Sequence, residues 1–213
     1  MPLSFKMSWD PNLELSIWEV TESVDYFRSK LEIHDSEREI IEQQSHRKLL
    51  EWLSSRYLLH LMSGRKLRGK FTKDIHGKPH LEDSEYHISI SHSHNLVAVV
   101  ASRLLVGIDI QYFVSKIHRI QHKFVNKEEL RNIPDDRMME ALHVIWGAKE
   151  SLYKAYGKRS LDFKKHIHVH DLDLTEDQGT FTGVVSKGEY HKTFNITYRL
   201  SEKFALVYAK ECN

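Results

Sequence analysis

"ISISHSHNLVAVVA" (88–101) and "ITYRLSEKFALVYA" (196–209) decide the fold. Laid over one another without a gap, at an offset of 108, they pair Ile88 with Ile196, Leu96 with Phe204, Val99 with Val207 and Ala101 with Ala209. Each stretch reads as two strands joined by a polar turn, with β-branched and apolar residues in alternation. A second overlay sets "WLSSRYLLHLMSG" (52–64) on "WGAKESLYKAYGK" (146–158) at an offset of 94, matching Trp52 with Trp146 and Leu58 with Leu152. Identities are few and a shared amphipathic pattern supplies some of them; a duplication accounts for both overlays together. The expected architecture is α+β. Two halves, 1–105 and 106–213, related by a pseudo-twofold axis, each lay a helix on a small antiparallel sheet. A cleft between equivalent surfaces is the natural place for a ligand.

The flanking segments fit this order. Residues 12–20 alternate weakly and read as a strand. Residues 34–64 read as one helix, capped by Asp35 or Ser36, carrying an apolar stripe at 49, 50, 53, 57, 58 and 61 and ended by Gly64. Strand-like sequence fills 86–111 and 166–210. "FVNKEELRNI" (124–133) opens another helical region capped by Asn126, and a helix over about 137–156 ends at Gly157.

The chain has 213 residues, 40% of them hydrophobic, and a net charge of +1. That balance argues against a nucleic-acid binder or a polybasic membrane protein. Its single cysteine, Cys212, permits no disulfide framework and fits a reducing, cytoplasmic setting. The first 20 residues read as neither a secretory nor an organellar leader, and no apolar run reaches the length of about 18 residues that spans a bilayer. The fifteen histidines are scattered along apparent strands. A histidine metal centre needs a convergence that sequence alone does not show, and ordinary surface and core histidines are the expected reading.

Four short elements carry chemistry. In "VGIDIQ" (106–111), Asp109 sits in a β-branched run where an unpaired carboxylate is costly to bury. It is either a solvent-facing strand residue or a hard oxygen ligand on a rigid strand, with Gly107 permitting close backbone approach. In "WGAKESLYKAYGK", Glu150 and Lys154 are i,i+4 and share a face with Trp146. They form a surface ion pair, or Glu150 joins Asp109 on one divalent cation while the flanking lysines neutralise phosphate. In "SISHSHN" (89–95), Ser91, His92 and Ser93 offer a hydroxyl, an imidazole and turn amides as a phosphate cradle. A Ser-His nucleophile pair is disfavoured, because neighbours on a strand point to opposite faces. In "HGKPH" (76–80), a turn presents Lys78, which alone reads as an ordinary loop lysine.

Taken in order, GKP, SHS, GID and W-x-x-K-E-x-x-x-K resemble the 4′-phosphopantetheinyl transferases, in particular the surfactin-synthetase-type branch with two fused halves. The motifs cover residues 34–160. The resemblance implies a magnesium-dependent enzyme that moves the phosphopantetheine arm of coenzyme A to a serine of an apo acyl or peptidyl carrier protein, releasing adenosine 3′,5′-bisphosphate. It implies Asp109 and Glu150 as metal ligands, and Glu150, Asp109 and Lys154 as catalytic residues. It implies Arg47, Lys78, Ser91, His92, Lys149 and Lys154 as coenzyme A contacts, with Arg38 a weaker one. A third carboxylate often follows two residues after the GID aspartate; here that position is Gln111, an uncharged oxygen donor or none. Histidine and asparagine follow SHS where glycine is usual. Such carriers are acidic helical bundles, and the locally basic segment 113–131, with Lys116, Arg119 and Lys123, is the expected docking site. A monomer is expected. Two other readings use the same residues: a catalytically silent binding domain of this fold, and a metal-dependent phosphodiesterase, which would need a basic nucleic-acid surface.

Overall fold

The computed structural model describes residues 5–10 and 13–213. The leader reading of the first 20 residues therefore falls partly outside the described residues, as does residue 12 of the expected first strand.

The chain begins with β1 (Phe5–Asp10) and β2 (Leu13–Glu19), followed by α1 (Val24–Lys30), α2 (Asp35–Glu42) and α3 (His46–Ser63). Next come β3 (Phe71–Lys73), β4 (Pro79–Leu81), β5 (His87–Ser93), β6 (Leu96–Ser102) and β7 (Val106–Tyr112). The last third holds α4 (Lys116–Ile120), α5 (Met138–Tyr156), β8 (Ile167–His170), β9 (Gln178–Lys187), β10 (Tyr190–Leu200) and β11 (Phe204–Glu211). Among the described residues, one sheet runs β1-β2-β6-β5-β4-β3 and the other β7-β11-β10-β9-β8. Without β1, the strand orders are the same, and each sheet receives one long helix, α3 or α5. The expected α+β arrangement of two similar halves is the one observed.

The registers repeat too. Ile88 lies opposite Ala101 in the β5–β6 hairpin, and Ile196 lies opposite Ala209 in the β10–β11 hairpin. Both residues of each pair are separated by the offset of 108 read from the sequence. The helix overlay slips by one residue. Gly64 and Gly157 cap α3 and α5 in the left-handed region, with φ of 60° and 72°, so the helices correspond at an offset of 93 rather than 94.

Local expectations differ from the structure at four points. The helix expected over 34–64 is two, because Ser45 takes an extended conformation and starts α3 afresh. Its cap is His34, neither Asp35 nor Ser36. α1, capped by the Ser23 hydroxyl on the Tyr26 N–H, was not read from the sequence. The expected helix after Asn126 is a single 3-10 turn, Lys127–Leu130, whose Glu129 turns back to accept the Asn126 N–H at 2.8 Å.

Three apolar clusters hold the fold. One packs α1 and α3 on β5 and β6. A second packs α5 on the β8–β11 sheet. The third joins the halves through Leu15, Ile17, Ala98 and Val100 on one side and Val106, Ile108, Ile110 and Leu206 on the other. β5 and β7 belong to different sheets, yet side chains stitch them. Ser89, Ser91 and Ser93 accept the N–H groups of Ile108, Ile110 and Tyr112, each at 3.2 Å. These hydroxyls satisfy the free edge of β7, which would otherwise present unpaired donors.

Candidate active site

α5 meets β7 and β11 closely because two motif glycines let it. A Cβ on Gly107 would stand 1.9 Å from the Ser151 carbonyl oxygen, and one on Gly147 would stand 2.8 Å from Val207 Cγ2. This approach brings the aspartate of β7 under the second turn from the end of α5. Lys154 Nζ donates to Asp109 Oδ1 at 2.9 Å, to the Ile108 carbonyl at 2.8 Å and to Ser91 Oγ at 3.1 Å. Ser91 Oγ donates to the same Asp109 oxygen at 2.9 Å. One turn before Lys154, Glu150 is half-buried and makes no hydrogen bond or ion pair among the described residues. Burial holds its carboxyl above the usual carboxylate range; Lys154 pulls against that shift and Asp109 adds to it. Asp109, Glu150, Lys154 and Ser91 therefore form one constellation.

Lys154 also lines a cavity of about 260 Å³ between the halves. Lys78 and Lys158 reach it as well, Ile88, Ile90 and Tyr153 give it an apolar wall, and no carboxylate lines it. Lys78 projects from the turn that Asp74 fixes by accepting the His76 and Lys78 N–H groups. Its Nζ donates to the Ala155 carbonyl at 2.8 Å, near the negative end of the α5 dipole, and burial lowers its pKa. The side chain of Lys78 passes so close to Gly157 that a Cβ there would lie 2.4 Å from Lys78 Cδ.

The remaining sequence candidates fall elsewhere. His92 lies on the face of β5 that Ile88 and Ile90 share. Its Nδ1 is 3.6 Å from Glu51 Oε2, and Glu51 Oε1 accepts from Arg47 Nε at 3.0 Å. Glu51 was not singled out from the sequence. Arg38 is exposed and paired with Asp35. Gln111 spends its amide nitrogen on the His143 carbonyl at 3.0 Å. Ser91 has no free bonding capacity: its one proton goes to Asp109, and its oxygen accepts from Ile110 and Lys154. It orients the site and does not face the cavity with a spare group.

Lys149 does not join the constellation. It is fully buried, with Nζ 2.8 Å from Glu129 Oε1 and 3.0 Å from the Phe163 carbonyl. The motif splits by helix face. Trp146 packs edge-on to Phe124 and against Phe163, with Lys149 beside it; Glu150 and Lys154 turn to Asp109. Trp146 stands one and two turns before Glu150 and Lys154 and so borders their face, while its ring packs on Phe124 and Phe163.

The donor set fits a hard divalent cation. All hydrogen bonds of Asp109 go to Oδ1, which leaves Oδ2, and both oxygens of Glu150 are open. Two carboxylates, with water and phosphate oxygens completing the shell, suit magnesium. Among the described residues no cluster of three or more His, Cys, Asp or Glu is placed to hold a metal.

The segment that bears Asp109, Glu150 and Lys154 has a known relative. Residues 105–209 match the 4′-phosphopantetheinyl transferase superfamily. The match supports phosphopantetheinyl transfer as the general activity, and superfamily members use coenzyme A and act on carrier proteins. No curated protein matches the chain. No helix among the described residues is long and apolar enough to cross a membrane.

Proposed function

We propose that this chain is a magnesium-dependent phosphopantetheinyl transferase of the surfactin-synthetase type. In this reading, halves 1–105 and 106–213 hold coenzyme A in the cleft between them, and the protein acts as a cytoplasmic monomer. What carries the reading is one juxtaposition. Asp109, fixed by Ser91 and Lys154, faces a partnerless, half-buried Glu150 beside a cavity edged by three lysines.

Each residue then has a role. The lysines of the cavity receive the phosphates, and its apolar wall receives the less polar parts of the donor. Asp109 and Glu150 would hold a divalent cation, which would supply charge neutralisation for the pyrophosphate. Glu150, whose carboxyl burial has made more basic, accepts the proton of the carrier serine. The serine oxygen bonds to the β-phosphorus as the bond to the bridging oxygen breaks, and adenosine 3′,5′-bisphosphate leaves. Lys154 steadies the charge that builds on this leaving group. No nucleophile is required of this chain, which agrees with Ser91 being fully engaged in structure. Arg47 and His92, which share Glu51 and do not line the cavity, are outer contacts to coenzyme A, and the amide oxygen of Gln111 or a water would complete the cation's shell.

Incubation with coenzyme A, magnesium and an apo-carrier should add one phosphopantetheine to the carrier mass. Phosphodiester hydrolysis, or no reaction with any apo-carrier, would overturn the reading. Two variants refine it. Lys78→Met should weaken coenzyme A binding about tenfold by calorimetry, the size of one charge-assisted contact, with carrier KM unchanged. Arg119→Glu/Lys123→Glu should raise carrier KM about tenfold by opposing an acidic partner, with coenzyme A KM unchanged; equal effects on both would remove 113–131 as the docking segment.

A further inference from the structure

Lys149 is a motif residue that the proposed chemistry leaves without a task, and its surroundings assign it another. It and Glu129 form an ion pair whose side chains are 0% and 3% exposed. Burying two charges is costly, and such a pair persists where the remaining donors and acceptors are met. Here they are. Glu129 Oε2 accepts the Asn126 N–H at 2.8 Å, Glu129 Oε1 accepts the Val169 N–H at 3.2 Å, and Lys149 also donates to the Phe163 carbonyl. The same partners are tied a second time. Asn126 Nδ2 donates to the Lys164 carbonyl at 3.1 Å, and Lys164 Nζ to the His122 carbonyl at 3.3 Å. Phe124, fully buried, meets the Trp146 ring edge-on at 5.0 Å. The knot joins three elements to α5: the end of the basic segment, the loop after Gly157, and β8. It reaches α5 at the residue before Glu150.

We propose that Lys149 is a positioning residue and not a phosphate ligand: with Glu129 and Trp146 it locks the basic segment 113–131 onto α5 and so sets a docked carrier in register with Glu150. The part concerning the carrier rests on the docking reading above; the lock itself does not. Two consecutive motif residues then divide the labour, Lys149 fixing where the partner sits and Glu150 acting on its serine.

The test compares wild type with Lys149→Met and Lys149→Met/Glu129→Gln. The double variant removes the carboxylate charge that the single one strands, and it keeps the test open should the single variant fold poorly. Amide hydrogen exchange over 121–131 and 158–166 should accelerate about tenfold or more in Lys149→Met, with β7 and β11 unchanged. Carrier KM should rise about tenfold while coenzyme A affinity by calorimetry stays within about twofold. The double variant should recover most of both losses. Weaker coenzyme A binding in both variants, without recovery in the double, would make Lys149 a phosphate ligand and overturn the proposal. Unchanged exchange in 121–131 overturns the lock. Faster exchange with an unchanged carrier KM leaves the lock standing and sinks its role in docking, a result that Arg119→Glu/Lys123→Glu would repeat if the docking segment itself is misassigned. A loss of folded fraction with neither KM moved reduces Lys149 to a structural residue and also counts against it.

Discussion

Glu150→Gln is expected to cut kcat by about 10³-fold, at the upper end of what one electrostatic group contributes, and at the same time to stabilise the ligand-free protein at neutral pH. Both effects have one cause. The carboxyl is half-buried without a hydrogen-bond partner, and its pKa is raised by burial, against the attraction of Lys154 and with the repulsion of Asp109. Glutamine keeps the shape and loses both the cation ligand and the proton acceptor, so transfer fails. The stability effect follows from linkage. A carboxyl whose folded pKa lies above its unfolded value binds its proton more tightly in the native state. Below the unfolded value, near pH 4, both states are protonated and the site costs nothing. As pH rises through the unfolded and then the folded value, the native state loses that advantage, and above both the full cost of the buried charge is present. Glutamine removes that cost. Denaturant unfolding should therefore show Glu150→Gln more stable than wild type at pH 7.5, with the difference shrinking toward pH 4.5. Magnesium with coenzyme A should reverse the order, because ligands that bind only the folded wild type raise its Tm by mass action. A variant that gains no stability at pH 7.5, or that still answers to magnesium, would contradict the role given to Glu150.

The sequence disclosed those features that depend on local pattern. The two hairpins share a register because the same alternation of residues repeats at 108, and a strand shifted by one residue would turn its whole apolar set outward. Gly64 and Gly157 are legible as helix ends because a left-handed cap favours glycine. Asp109 stands out because a carboxylate in a β-branched strand needs a reason, and Lys154 supplies part of it. What stayed hidden depends on docking between distant segments. Adjacent helix positions differ by about 100° in direction, so the string Lys149–Glu150 does not say which of the two faces the cleft. That is decided by Glu129, which lies 20 positions earlier and carries only a faint local signal, the Asn126-x-x-Glu129 capping box. Ser91 reads as a phosphate donor until β7 is laid beside it and consumes its hydroxyl. Gln111 gives its amide N–H to the His143 carbonyl, a contact the sequence does not announce, and keeps its amide oxygen. In each case the residue type was informative and the partner was not.

The other large effect is expected at a residue that touches no substrate. Gly107→Ala should lower kcat about 10²-fold, the scale set by a misplacement of about 1 Å at a reacting centre, and should lower Tm as well. Its added Cβ would lie 1.9 Å from the Ser151 carbonyl oxygen and 2.9 Å from the Ala155 amide nitrogen. Both are backbone atoms of α5, which cannot rotate aside as a side chain could. Restoring the ordinary contact of 3.4 Å requires α5 and β7 to part by about 1.5 Å, the difference 3.4 − 1.9. Asp109 is two residues along β7 from this contact, and Glu150 immediately precedes Ser151, so the parting opens the distance between the two carboxylates directly. It also strains the bond from Ser151 Oγ to the Val207 carbonyl, 3.0 Å long. Overpacking of this kind costs about 1–3 kcal/mol, which a domain of ordinary stability survives, so the variant should remain folded and measurable. Gly64→Ala is the control. Its site has the same left-handed strain as other caps but open space around it, so it should lower Tm modestly and leave kcat alone. Magnesium should lose its effect on the Tm of Gly107→Ala in the presence of coenzyme A while retaining it for Gly64→Ala. Wild-type kcat in a folded Gly107→Ala protein would mean that the distance between Asp109 and Glu150 is not what the chemistry depends on.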